Sequence, residues 1–290
     1  MVRQAPEKPL NTRRAAIVIL AGAIIISVVT CSGPATAPPQ TFTADEKSLA
    51  RHYNAPNWFR DAKLGIYFHW GPYTVAAREN EWYPRWMHFD IREEEWQDRN
   101  RGYHRDLLPW HTETFGHPSE FGYHDLIPLF TAEHFDAEAW ADLFYESGAR
   151  FAGPVAMHHD GYALWDSDIT PWNAADAGPR RDITGEMAAA LRERGMKLIT
   201  SFHHARNLQR YKGQSPQEAI QQFGHWDTYH MYWNSHYPWI EGLAPTSDDP
   251  ELSLLYGNRP VDEWLDDFWL GSLKEVIEKY EPDIIWFDAW

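Results

Sequence analysis

The sequence predicts an α/β protein of the (β/α)8-like TIM-barrel class, incomplete in this chain, with about four βα units visible. Three observations carry that prediction. Four short apolar runs each end in polar residues, the pattern of parallel strands covered on both faces. Helical periodicities separate the runs. Each run delivers side-chain chemistry at its carboxyl end, and no glycine-rich phosphate turn occurs, which favours a barrel mouth over the crevice of an open nucleotide-binding sheet.

Residues 1–40 read as an export leader and tether. Arg3, Lys8, Arg13 and Arg14 precede "AAIVILAGAIIISVVT", an uncharged run too short to span comfortably as a permanent anchor. It ends at "VVTCSG", a lipoprotein-type cleavage box that would leave Cys31 lipidated; cleavage near "PATA" is the alternative. Either reading expects an exported protein: periplasmic, extracellular or anchored by lipid at a bacterial membrane. Residues 41–290 are the expected folded portion. Their first strand is "KLGIYFHWG" from Lys63, followed by a long aromatic loop in which short helices are expected. Asp136 can cap a helix with Trp140, Leu143 and Phe144 inward and Gly148 as its stop. "RFAGPVAMHHDG" from Arg150 is the second strand. Asp182 or Thr184 starts a helix with Met187, Ala190 and Leu191 inward, ending at Gly195. "KLITSFHHA" from Lys197 is the third strand, with a second long aromatic loop after it. A last helix from about Val261 shows Leu265, Phe268, Trp269, Leu273, Val276, Ile277 and Tyr280 at steps of three and four; Pro282 closes it before "PDIIWFDAW". A whole barrel runs to about 250 residues, so the chain reads as the N-terminal portion of a longer protein.

Composition narrows the function. Cys31 is the only cysteine, which excludes a disulfide framework and a thiolate metal site. The net charge of -16 becomes -19 without the leader's four basic and one acidic residues, and nucleic-acid phosphates demand the opposite sign. Sixteen Trp and fourteen Tyr exceed what a core needs. Flat aromatic faces with N–H or O–H handles suit sugar rings.

The strand ends hold His69, the pair His158 and His159 with Asp160, the pair His203 and His204, and Asp288. Each alone could be a hydrogen-bonded core group or a helix cap. Their recurrence at successive strand ends makes a ring around one mouth. One reading is a metal cluster. Against it, Tyr67 stands where barrel metallohydrolases usually place a second histidine on the first strand, and His158 and His159 would point to opposite faces of a continuing strand. The other reading is a sugar pocket with hydroxyl partners, an aromatic face and a carboxylate beneath the anomeric carbon.

The blocks "AKLGIYFHWGPYTV", "NEWYPRWM", "MHHDGYALWDSDITPWNAADAGPRRDITGEM" and "EPDIIWFDAW" resemble the α-L-fucosidases of glycoside hydrolase family 29, in order from about residue 57 to the end. The resemblance implies a barrel followed by a β-sandwich, and retaining hydrolysis of α-linked L-fucose with no metal or other cofactor. It implies Asp288 as the nucleophile, Trp286 as a pocket tryptophan, His69, His158 and His159 as holders of fucose hydroxyls, and Glu81 and Trp82 as further contacts. His203 and His204 stand where the family has a tyrosine-rich strand end and are pocket candidates; Met157 replaces the usual lysine. The acid/base carboxylate is expected after the nucleophile, beyond Trp290, although Glu241, Glu251 and Glu263 are available. The implied partner is a fucosylated glycan. A non-catalytic fucose- or galactose-binding barrel and a metal-dependent hydrolase are the alternatives.

Overall fold

A computed structural model describes residues 42–51, 55–88, 106–209 and 236–288. The expected leader with Cys31 lies outside the described residues, as do 89–105 and 210–235 of the two long loops. The chain divides into two compact units, Met1–Asn54 and Ala55–Trp290. In the first, a single helical turn, Glu46–Leu49, is capped by Asp45, whose carboxylate accepts from the Ser48 amide at 2.8 Å.

The second unit is an α/β fold with a parallel sheet. Its four described strands are β1 (Gly65–Phe68), β2 (Phe151–Met157), β3 (Lys197–Phe202) and β4 (Ile284–Phe287), in spatial order β1-β2-β3-β4. All three neighbouring pairs are parallel. Labelled helices are α1 (Leu107–Thr114), α2 (Ala137–Glu146), α3 (Ile183–Glu193), α4 (Pro250–Tyr256) and α5 (Leu270–Tyr280). Each expected strand forms inside its expected run. The first long loop does contain short helices, at Pro72–Thr74, Tyr83–Trp86, α1 and Tyr123–Leu126.

Two caps behave as their residue types dictate. Asp136 accepts from the Ala139 amide at 3.0 Å, and Asp182 accepts from the Gly185 amide at 2.9 Å. Asp182 also accepts from the Tyr280 hydroxyl at 2.9 Å, which ties the start of α3 to the end of α5. Gly195, at φ +66°, supplies the left-handed residue after α3. Met187, Ala190 and Leu191 are buried as expected, and so are Phe268, Leu273, Val276 and Tyr280. Leu143, Leu265 and Ile277 are not: all three are exposed. On α2, Trp140 and Phe144 pack against the core as expected, meeting Phe68 of β1, and the fully inward positions beside them are Ala137 and Ala141, small enough to let the helix sit close. Ahead of α5 a π-helical turn, Trp264–Trp269, offsets the α-helical period, so Trp264 is buried in place of Leu265.

The sheet separates two environments. On its outer side Met157, Leu198 and Phe202 join the helices in one core, each such side chain contributing about 1.5–3 kcal/mol by burial. Its inner side is strongly concave. β1 and β4 are three strand spacings apart, roughly 14 Å along the sheet, yet the rings of Tyr67 and Trp286 stack with centroids 6.4 Å apart and planes 19° apart. Tyr67 and Trp286 therefore lean toward each other across an inward curl.

One irregularity decides what reaches that concave side. Val155 pairs with Ser201, but Met157 pairs with Phe202, so β2 carries one extra residue at its end. Without it, Met157 would oppose His203 and face inward. With it, Met157 turns into the outer core and His158 comes into phase with His203.

Candidate active site

The residues at the carboxyl ends converge. β1 presents His69 two residues beyond Tyr67 on the same side, and the slipped end of β2 presents His158. β3 presents His203, in phase with Ser201. Asp288 follows Trp286 in β4, its amide still donating to the Phe202 carbonyl at 3.2 Å. Ring centroids lie 5.4 Å apart for His69 and His158, 5.0 Å for His69 and His203, and 4.9 Å for His158 and His203. The backbone leaves the strand after Met157. His159 thus stays on the same side as His158 rather than opposite it, with its ring 4.5 Å from His158 and 5.7 Å from His203.

Trp82 arrives from the first long loop, beside the Tyr83–Trp86 helix. Its ring lies 4.9 Å from that of His159 and 6.2 Å from that of His158, and the Arg206 guanidinium sits 5.6 Å from its centroid. The negative charges of Glu81 and Asp288 both act on His69, partly offsetting the burial that lowers its pKa. Trp286 is half exposed and Tyr67 nearly so, leaving aromatic faces open at the rim.

The histidines are neutral. Burial pushes His158 and His159 well below the usual imidazole range, helped by neighbouring imidazoles. His203 falls to about 4, burial and His69 outweighing the opposing charge of Asp288. His203 Nδ1 lies 3.6 Å from Asp288 Oδ2, so at neutral pH this is a neutral ring beside a carboxylate and not an ion pair. His69 Nε2, both His158 nitrogens, His159 Nδ1 and His203 Nε2 are buried without a hydrogen-bond partner among the described residues. Buried polar groups are rarely left so. Several such groups around one concavity leave both acceptor and donor capacity unused among the described residues.

Two expected pocket groups go elsewhere. His204 faces the outer core: its ring stacks on Trp269 at 6.0 Å and 17°, and its Nε2 meets the Trp269 carbonyl at 3.3 Å. Alternation along the chain explains it, because His203 and His204 leave β3 on opposite sides. Asp160 accepts from the Tyr123 hydroxyl at 2.5 Å and the Tyr162 amide at 3.2 Å, a brace among tyrosines in which burial raises its carboxyl to about 7. One site residue escaped the sequence reading. His236 lies in the second long loop, its ring 5.4 Å from His159 and 5.5 Å from Trp82. Its amide donates to the Arg206 carbonyl at 2.7 Å, and its carbonyl accepts from the buried Arg85 at 3.2 Å. Only its residue type, histidine in an aromatic loop, hinted at it.

The motif that follows the histidine pair is mostly scaffold. Glu275 on α5 accepts from Trp165 Nε1 at 2.8 Å, the Ser167 hydroxyl at 2.7 Å and the Asp168 amide at 2.6 Å. Asn173 donates to the Thr170 carbonyl and accepts from the Ala175 and Asp176 amides. Arg181 holds Glu186 through a two-toothed ion pair. These bonds fix the chain beyond β2 so that the histidine pair stays at the strand end.

A parallel α/β sheet that gathers polar and aromatic side chains at its strand carboxyl ends defines a ligand-binding α/β protein of the kind whose site lies at that face. The particular family follows from comparison. A sequence model described as alpha-L-fucosidase matches residues 29–290, and the chain belongs to that family. Tissue alpha-L-fucosidase of Mus musculus is 30% identical over 282 residues, covering 87% of this chain and 58% of the mouse protein. The Homo sapiens tissue enzyme is 31% identical, covering 77% of this chain and 51% of its own length. The chain thus spans little more than half the length of these relatives. Thermotoga maritima alpha-fucosidase, in a complex with a mechanism-based inhibitor, superimposes with a TM-score of 0.56 at 29% identity, covering 86% of this chain and 50% of that one. The same protein in complex with fucose also gives 0.56.

Proposed function

We propose that this chain belongs to an exo-acting, retaining α-L-fucosidase that releases α-linked L-fucose from glycans, with Asp288 as nucleophile. The observation that carries the reading is the carboxylate of Asp288 beside a ring of neutral imidazoles with unpaired nitrogens, at the mouth of a concave parallel sheet. Family membership supports the reaction class, and the fucose complex of the Thermotoga maritima relative supports the substrate class. In this reading the four strands are part of a (β/α)8 barrel, and the chain is exported behind its apolar leader.

The chemistry follows from the arrangement. A Asp288 oxygen attacks the anomeric carbon as the bond to the leaving oxygen breaks, giving a glycosyl ester that water then opens. The leaving oxygen takes its proton from a second carboxylate, which retaining glycosidases place roughly 5–5.5 Å from the nucleophile. His69, His158, His159 and His203, being neutral, can each donate from one nitrogen and accept at the other, which matches hydroxyls that do both. Bonds to hydroxyls that acidify as the ring becomes oxocarbenium-like strengthen along the path and lower the barrier. His203 beside Asp288 limits rotation of the carboxylate. Trp82, Trp286 and Tyr67 offer apolar faces for the ring and its methyl group; Glu81 tunes His69 electrostatically.

Asp288→Ala in the full-length protein tests the assignment. Turnover of an aryl α-L-fucoside should fall by about 10⁴-fold or more, while L-fucose still binds in a calorimetric titration. Hydrolysis near the wild-type rate would overturn the nucleophile assignment.

A further inference from the structure

Three imidazoles of the cup meet a requirement that hydrolysis does not use. One nitrogen from each of His69, His158 and His203 lies within 4.8 Å of the other two. Both nitrogens of His158, Nε2 of His69 and Nε2 of His203 have no hydrogen-bond partner among the described residues, and His158 and His203 are only 3% exposed. An imidazole offers a lone pair at its unprotonated nitrogen, the group a transition cation takes. Zinc binds imidazole nitrogen at about 2.0–2.1 Å in tetrahedral geometry, which sets the nitrogens roughly 3.4 Å apart. The triad's nitrogens, within 4.8 Å of one another, would have to draw inward to reach that spacing. Asp288, 3.6 Å from His203, puts a negative charge beside the triad.

We propose that His69, His158 and His203 form an inhibitory site for a borderline divalent transition cation such as Zn2+, and that the ion and the sugar exclude each other because both use these imidazoles. The cation-binding half stands on the triad alone; the exclusion half rests on the fucosidase reading. Three imidazoles suit Zn2+ or Cu2+, with the fourth position left to water or another ligand, whereas Mg2+ demands oxygen ligands and should not bind. The ion is no cofactor here: it would occupy the hydroxyl partners and cover the nucleophile.

Calorimetric titration of the metal-stripped full-length protein with ZnCl2, with and without L-fucose, tests both halves. The expected result is one Zn2+ per chain, no saturable Mg2+ binding, and an apparent Zn2+ affinity that weakens as L-fucose is raised. His69→Gln and His203→Gln should each weaken Zn2+ by more than about tenfold, whereas exposed His134→Ala should leave it unchanged; thermal melts establish that the variants fold. The absorption of Co2+ in the same protein should report a four-coordinate ion. Absence of saturable Zn2+ binding, or binding unchanged in both glutamine variants, overturns the site. Zn2+ binding through the triad with L-fucose bound but without effect overturns the exclusion. L-Fucose that fails to bind the metal-free protein counts against the fucosidase reading and leaves the cation site standing.

Discussion

His203 and His204 are neighbours of the same type, and burial lowers both to about 4, yet they face two different regions. His204 lies on the outer side, stacked on Trp269 and meeting its carbonyl. His203 lies on the inner side among rings whose nitrogens lack partners. On the outer side the His204 ring packs against Trp269 and its Nε2 finds a carbonyl, so that one ring nitrogen, Nδ1, is left without a partner among the described residues, and apolar surface is covered, which is how a fold is stabilised. On the inner side polar groups are buried and left open, which costs stability and is retained where a ligand completes the bonding. The contrast teaches where to look for function: in the unspent hydrogen-bonding capacity of the inner side.

Several substitutions and one change of condition can break that contrast. The largest effect should come from exchanging the two histidines' fates. His203→Ala should cut kcat/KM on an aryl fucoside by about 10²- to 10³-fold, the usual loss for one stabilising donor, with little change in Tm. His204→Ala should do the reverse, costing about 2–3 kcal/mol of packing with kcat/KM nearly intact. Equal effects on both properties in both variants would dissolve the distinction between the two sides.

Acid should act next most strongly. His88 is held at about 3, His203 and His204 at about 4, and His158, His159 and His236 well below the ordinary value, burial being the chief cause each time. The unfolded chain takes up these protons near pH 6.5 and the native chain refuses them. Stability present above that pH is therefore lost as pH falls from about 6.5 toward 4, by about 1.4 kcal/mol per pH unit for each proton withheld. Asp160 opposes this, because its raised carboxyl, at about 7, holds a proton in the native chain that the unfolded chain releases. Its contribution is present at low pH and lost as pH rises through 7. One raised carboxyl against these six, with His69, His111 and His124 also lowered by burial, leaves a net loss in acid. Thermal melts at pH 5 and 7.5 should give the lower Tm at pH 5; the opposite order would mean that the cup is charged.

A smaller effect belongs to the scaffold. Glu275→Ala strands the Trp165 N–H, the Ser167 hydroxyl and the Asp168 amide at once. It should cost about 2–4 kcal/mol, since one buried donor left unpaired costs about 1–3 kcal/mol, while fucose affinity in the folded fraction is kept. Smallest is Asp136→Ala, which removes one exposed helix cap and should cost about 1 kcal/mol with no effect on turnover.

The strands and the two capped helices were legible because local signals govern them: apolar runs of four to seven residues, Asp at a helix start, glycine after its end. Leu143 shows the limit, since periodicity named a stripe whose Trp140 and Phe144 do face the core, but the face is centred on Ala137 and Ala141 and leaves Leu143 in solvent. The site was legible as a set of strand ends. Its aim was not, because the extra residue at the end of β2 decides whether Met157 or His158 faces inward, and nothing in "VAMHHDG" announces a slip between two strands. His204 was misplaced for the same reason, as pairs cannot be resolved until the strand's phase is known. His236 depends on a contact across more than 75 residues of chain with His158 and His159, beyond any local pattern.

The central claim is that Asp288 completes the imidazole cup as its nucleophile. Incubating the full-length protein with a 2-deoxy-2-fluoro-fucosyl fluoride and mapping the peptides by mass spectrometry tests it most directly. The account predicts a single fluorofucosyl ester, carried on Asp288 and prevented by an excess of L-fucose. An ester on another carboxylate, with Asp288 unmodified, would contradict it.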